Sequence, residues 1–228
     1  MKVLIACEES QTVCVEFRRL GHKAYSSDIL EPSGQHKEWH ILGDSTKIID
    51  GNCKFCTMDG ETHEINGRWD LIIAHPPCTY LSNAATSSFS LKCTPAEKVI
   101  DRMEKRAMAA VFFMRFIAAD CKKICVENPV GFMSKAYRPP DQYIEPYMFA
   151  DDEADSENFV TKKTGLWLKG LPPLKQKFFV RPNNKKIFGV LSNGKAKTWM
   201  DVVKYPKLRS KTFSGVAKAM AEQWGGVK

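Results

Sequence analysis

The stretch "DLIIAHPPCTYLSN" (Asp70–Asn83) decides how the chain is read. An apolar run, Leu71–Ala74, leads straight into His75-Pro76-Pro77, and Cys78 follows at once. Proline fixes φ and carries no N–H, so two in a row end any central strand. The pattern therefore predicts a buried strand over 70–74 that turns sharply at its exit. A thiol at that turn is either a small apolar filler or a nucleophile at the mouth of an α/β sheet.

Working outward, the rest of the chain supplies the other pieces of such a sheet. Lys2–Cys7 (KVLIAC) is a short strand-like run. Gln11–Leu20 carries Val13, Phe17 and Leu20 at helical spacing and stops at Gly21, a C-cap residue. Lys23–Ser27 resumes as a strand and ends at Asp28. This β-α-β order predicts a parallel sheet. A further short strand runs from His40 to Gly43, with Asp44 after it. Asp59-Gly60, between alternating runs, predicts a β-hairpin insertion over 50–69.

Beyond the double proline, Thr79–Pro95 is rich in Ser, Thr and Ala and suits a mobile loop. Ala96–Asp120 is the strongest helical pattern, with an apolar stripe through Val99, Met103, Ala107, Ala110, Met114 and Ile117. Lys123–Val126 predicts another buried strand, ending in Glu127-Asn128-Pro129. Residues 137–161 read as loop, Gly165–Leu168 as a strand, and 170–210 as a small basic region, irregular or short-stranded. Phe213–Trp224 closes as an amphipathic helix.

The 228 residues suit one domain, 1–228, and 43% hydrophobic residues allow a sizeable core. No apolar run reaches the roughly 18–20 residues that span a bilayer, and the first residues lack a cleavable-signal pattern. The expectation is a soluble, cytoplasmic monomer. The eight cysteines are scattered through apparent strands and helices, which favours reduced buried thiols over a disulfide framework. The net charge is +8, and Lys and Arg crowd the last third from Lys162 to Lys211. That surface suits a polyanion.

Ligands of open α/β sheets lie at the carboxyl ends of the strands. Here those ends carry Glu8, Glu9 and Ser10, then Asp28, Asp44, Pro77-Cys78 and Glu127-Asn128. An acid after the second strand suits ribose hydroxyls, and one after the third could accept from an exocyclic amine. Each is also an ordinary N-cap; together they point to an adenosine-containing ligand. A thiol and a carboxyl facing one pocket can act jointly on a heteroaromatic ring, the thiolate adding to carbon while the carboxyl serves a ring nitrogen.

"PPCTYLS" (76–82) resembles the Pro-Cys motif of cytosine-5 DNA methyltransferases, and "VENPVG" (126–131) resembles their Glu-Asn-Val motif. The closing "SGVAKAMAEQW" (214–224) is similar to the family's last motif, and the chain order agrees. The chain also resembles compact phage and prophage proteins labelled DNA methylases. The resemblance implies a Rossmann-like S-adenosylmethionine-dependent methyltransferase fold acting on DNA. Cys78 would attack C6 of cytosine and Glu127 would engage N3 and the exocyclic amine. Glu8, Glu9, Ser10, Asp28, Ile29, Asp44 and Pro77 would hold S-adenosylmethionine. Ser82, Asn128, Lys162 and Lys163 would contact the substrate, and the loop 79–95 would close over a flipped base.

The chain departs from that family in two places. Cys7-Glu8-Glu9-Ser10 replaces a glycine-rich first turn, and "TKKTGLWL" (Thr161–Leu168) stands where a Gln-Arg-Arg motif belongs. Two other readings stay open: methyl transfer to an exocyclic nitrogen, which leaves Cys78 incidental, and a nucleic-acid-binding module of phage origin that has lost turnover. Cys53-x2-Cys56 with His63, His36 and His40 nearby has partial zinc spacing, but no second pair matches it, so no metal is expected. Trp167 and Trp199 lie in the basic region as either core or base-stacking residues.

Overall fold

The computed structural model describes residues 1–226, with the backbone alone at Ala85 and Pro206. Residues 227–228, the end of the single expected domain, lie outside the described residues. In chain order the first half comprises β1 (Lys2–Ala6), α1 (Thr12–Arg19), β2 (Lys23–Asp28), β3 (His40–Leu42), β4 (Cys53–Cys56), β5 (Thr62–Ile65) and β6 (Leu71–Ala74). Then follow α2 (Ala96–Ile117), β7 (Ile124–Pro129), α3 (Met133–Ala136), β8 (Gln142–Ile144) and β9 (Thr164–Lys169). Four helices finish the described chain: α4 (Asn184–Phe188), α5 (Trp199–Val202), α6 (Pro206–Ser210) and α7 (Ser214–Gly225).

Seven strands form one sheet in the order β3-β2-β1-β6-β7-β9-β8. The first five in that order pair in parallel, and β9 runs antiparallel to both neighbours. β4 and β5 form a separate antiparallel hairpin across the Asp59-Gly60 turn. Alternation along the strands sends side chains to opposite faces. Val3, Ile5 and Ile73 pack with α1 and α7 on one face; Leu4, Ala6 and Ile72 pack with α2 and the hairpin on the other. The protein is thus a mixed α/β fold with helices on both faces of a mostly parallel sheet, compatible with a Rossmann-like architecture. Among the described residues no helix is long and apolar enough to cross a membrane.

Several local expectations are corrected. α2 buries only part of the expected stripe: Val99 is buried and Ala110, Met114 and Ile117 pack half-buried against the core, whereas Met103 is 59% exposed and Ala107 is exposed, the buried face being shifted toward Phe113 and Phe116. The buried face also carries Arg102 and Arg106, half-buried at helical spacing, and these charges disguise it in sequence. The Arg106 guanidinium lies 3.2 Å over the Phe89 ring and its Nε donates to the Tyr80 carbonyl (2.9 Å). The loop expected to be mobile is therefore tied to α2, and it contains a 3-10 turn at Asn83–Phe89.

β8 falls within the stretch 137–161 expected to be loop, because three residues offer too little periodicity. The region 170–210 is irregular, with an isolated bridge at Val190 and Ala196, and also holds the three short helices α4, α5 and α6. Trp167 is wholly buried, its ring edge-on to Phe113 at 5.1 Å and its N–H donating to the Arg138 carbonyl, so it is core and cannot stack on a base. Trp199 packs against Phe213. All eight cysteines are free thiols. Cys121 sits in the turn before β7 rather than in a helix.

The rotated α2 face is testable by urea unfolding. Phe113→Ala is expected to cost about 3–5 kcal/mol, with the midpoint lowered and the slope unchanged. Met103→Ala, on the exposed side, should stay within about 0.5 kcal/mol of wild type. Equal losses at both positions would contradict the assignment.

Candidate active site

The sheet order reverses between β1 and β6: the chain runs outward from β1 to β3, then crosses to β6 on the other side. Such a switch point opens a crevice at the carboxyl ends of the two strands. Into it emerge the turn after β1 (residues 7–11) and the double-proline turn after β6.

The first turn reaches its shape without glycine. Cys7 and Gln11 both adopt left-handed backbone, at φ 57° and 60°. Non-glycine residues there store of order 1–3 kcal/mol of strain each, so something must hold them. The Glu8 carboxylate does so from inside, accepting from the N–H of Val13 (2.6 Å) and Cys14 (3.2 Å). These N–H groups, at the positive end of α1, would otherwise lack partners. Burial pushes the Glu8 carboxyl up to about 7, against the opposing effects of the His75 charge and the two N–H bonds. Gln11, wholly buried, donates to the His36 carbonyl (2.7 Å) and Ser26 Oγ and accepts from the His36 N–H. It thereby ties down the loop after β2.

The other expected cofactor residues are placed as follows. Glu9 accepts from the Ser33 N–H and lies 3.6 Å from Lys207 Nζ. The Ser10 hydroxyl accepts from the Thr12 hydroxyl. Asp28, at the end of β2, accepts from the Leu30 N–H and is raised above the ordinary carboxylate range by burial. Ile29 beside it is 75% exposed. Asp44 caps a 3-10 turn through the Thr46 N–H and hydroxyl, so the N-cap role is realised there. Pro77 is exposed at its turn.

Around the double proline, β6 and β7 are joined by side chains. The His75 N–H donates to the Ala6 carbonyl (2.9 Å), and Asn128 Nδ2, buried on β7, donates to the Pro76 carbonyl (2.7 Å). The Cys78 carbonyl accepts from the N–H groups of Leu81 and Ser82. Ser82 in turn bridges to Gly131, where a Cβ would collide with the Leu81 carbonyl. Glu127 and Asn128 lie within β7, still paired with β9, rather than beyond the strand end. Asn128 is thus a positioning residue for the turn.

Cys78 is half-buried, and burial raises its thiol above the ordinary value; the Glu127 charge raises it further, while Lys162 partly offsets this. Burial also raises Glu127, but His75, Lys162 and Thr164 outweigh it and hold the carboxylate below its usual range. Glu127, Lys162, Thr164, Ser210, Lys211 and Phe213 line one pocket. Lys162 Nζ donates to the Arg209 carbonyl (2.7 Å), so the basic segment roofs that pocket. Lys163 points elsewhere, 4.3 Å over the Tyr143 ring, as alternation in extended chain requires.

No protein-family model matches the chain, and no curated protein matches it. The site is read from its own geometry. Two further residues belong to the candidate site: Gln11, whose only signal in sequence is its place beside an acidic turn, and His75, which in sequence is part of the proline motif. Among the described residues no group of three or more His, Cys, Asp or Glu could hold a metal. Cys53 Sγ lies 3.8 Å from the Ile48 carbonyl, and Cys56 contacts Thr62.

Two outcomes follow from these charges. Because folding raises the Glu8 carboxyl from 4.5 to about 7, the folded state binds that proton more tightly. Stability should be highest below pH 4.5 for this group and fall by on the order of 3 kcal/mol as pH rises from there through 7. Glu8→Gln should flatten that fall in urea titrations at successive pH values. Removing the Glu127 charge should make Cys78 more acidic, so Glu127→Gln should speed its alkylation by iodoacetamide several-fold at fixed pH. Peptide mass mapping would read this, and a slower reaction would contradict the placement.

Proposed function

We propose that this protein transfers a methyl group from S-adenosylmethionine to C5 of cytosine in DNA, through a Cys78 adduct. One observation carries the reading: Cys78, in the turn after β6, and Glu127, within the adjacent parallel strand β7, are near enough that the carboxylate charge raises the thiol, and Glu127 lines a pocket roofed by Lys162. The motif resemblance to cytosine-5 DNA methyltransferases and the Rossmann-like sheet with its switch point support the same reading.

The residues fit the adenosine half of the cofactor. Asp28 sits at the end of β2 where ribose hydroxyls would be held, Ile29 offers an exposed apolar face, and Asp44 stands at the end of β3 for an exocyclic amine. The methionine end would meet the turn of Glu9 and Ser10, since the Glu8 carboxylate is engaged with α1. When bound, S-adenosylmethionine supplies an electrophilic methyl group. The protein's own residues prepare the base. Cys78 loses its proton to solvent and bonds to C6; the ring π electrons shift toward N3, which takes a proton from the Glu127 side. C5 becomes nucleophilic and is methylated. Loss of the C5 proton to solvent restores the C5–C6 double bond and expels Cys78, and N3 gives its proton back.

Lys162, Lys207 and Lys211 stand on or beside the pocket roof, where a phosphate backbone would pass. Reaching a ring carbon requires the base to leave the stack, and the loop 79–95, adjoining Cys78, is placed to cover it.

Wild type, Cys78→Ala and Glu127→Gln would be expressed in a host lacking DNA methylases, and modified nucleosides counted by mass spectrometry. Wild type should yield 5-methylcytosine, Cys78→Ala none, and Glu127→Gln a rate lower by ~10²-fold or more. Methylation of an exocyclic nitrogen that persists in Cys78→Ala would move the protein to amino methyl transfer. No modified base from folded protein would leave a binding module.

A further inference from the structure

His75 stands in a place that neither the thiol nor the cofactor reading uses. It is the first residue after β6, its backbone locked by the bond to Ala6 and by Pro76 behind it. Its side chain is only 8% exposed, and Nδ1 lies 3.3 Å from Glu127 Oε2. Nε2 is buried and makes no hydrogen bond to the protein among the described residues. The charge of His75 also acts on Glu8, from the turn after β1. One imidazole therefore acts on two carboxylates, Glu8, buried in the turn after β1, and Glu127, half-buried on β7.

The two carboxylates are not equivalent. Glu8 is pinned by two N–H groups of α1, whereas Glu127 faces the pocket with Lys162 and Thr164. Lys162 is itself held by the Arg209 carbonyl and lies over the Trp199 and Phe213 rings. An ionised Glu127 accepts hydrogen bonds but has no proton to give N3. The group in contact with it that can carry one is His75.

We propose that His75 is a positioning residue for the Glu127 carboxylate and the store of the proton that Glu127 delivers to N3 of the base. The proposal rests on the methyl-transfer reading above. As the Cys78–C6 bond forms, the N3 lone pair takes a proton from Glu127, and Glu127 takes one from His75 Nδ1. The thiol proton has gone to solvent, so the His75–Glu127 pair is one proton short until elimination returns it from N3. Held ionised in the free enzyme, Glu127 can both orient the exocyclic amine and, once protonated, serve the ring nitrogen.

The test uses the full chain with 13C-carboxyl glutamate, reading the Glu127 titration by NMR and assigning it by its loss in E127Q. H75L should move that titration upward, toward or above the ordinary carboxylate range, because a cation and a donor are lost. H75Q keeps an N–H donor and should move it part of the way; it also covers the case in which H75L does not fold. In single-turnover methylation, H75Q should bind DNA within about twofold of wild type yet react ~10²-fold slower, the scale of a lost general acid. An unchanged Glu127 titration in both variants overturns the pairing. A full methylation rate in H75Q overturns proton storage. A wild type that methylates nothing, while Glu127 still titrates through His75, removes methyl transfer and proton delivery but upholds the pairing.

Discussion

The hydrogen bond from Asn128 Nδ2 to the Pro76 carbonyl, buried and 2.7 Å long, is the contact around which the site is built. Consecutive prolines present carbonyls to satisfy and no N–H groups with which to brace themselves. Their turn must be held from outside, and the neighbouring strand does it. The same bond fixes β7 against β6 at the depth where Glu127 meets His75. Without it the thiol, the carboxylate and the imidazole would lose their common frame, because Cys78 and His75 come from the β6 side of the seam and Glu127 from β7. Leaving either partner unsatisfied in so dry a place costs about 1–3 kcal/mol.

The turn after β1 meets a similar difficulty in another way. Left-handed backbone is ordinarily a task for glycine, yet Cys7 and Gln11 adopt it here. A buried carboxylate on the α1 N–H groups and a buried amide on the next loop over-determine the shape. The cost is a titratable acid inside the fold, offset in part by the facing charge of His75. Both turns at the switch point therefore rest on buried polar groups, and His75 touches the electrostatics of each. The fold and the proposed chemistry share these residues, which is why substitutions here are to be read by titration and rate together.

Much of this was legible in the chain. The strand at 71–74 announced itself by an unbroken apolar run ending in prolines, and the acids at 8, 28 and 44 followed from where strands stop, whereas Glu127 stands inside β7. α2 was legible as a helix but not in its orientation. Two arginines occupy the buried face because they bind aromatic rings and a carbonyl of the adjoining loop, so the apolar stripe in sequence overlaps only one edge of that face. β8 and the helices of 170–210 were hidden because elements of three to five residues carry too little periodicity.

The sequence by itself determined the longer elements, the parallel β-α-β opening and the candidate pair Cys78 and Glu127. Those depend on local properties: φ restriction at proline, apolar period, and charge at strand ends. Tertiary structure alone decided that β9 runs against its neighbours, that Trp167 is core, that Glu8 faces inward and that His75 meets Glu127. Each of these is a contact between residues far apart in the chain. Local preference does not encode such meetings; they exist only when the sheet brings separate strand ends to one depth and excludes water from between them.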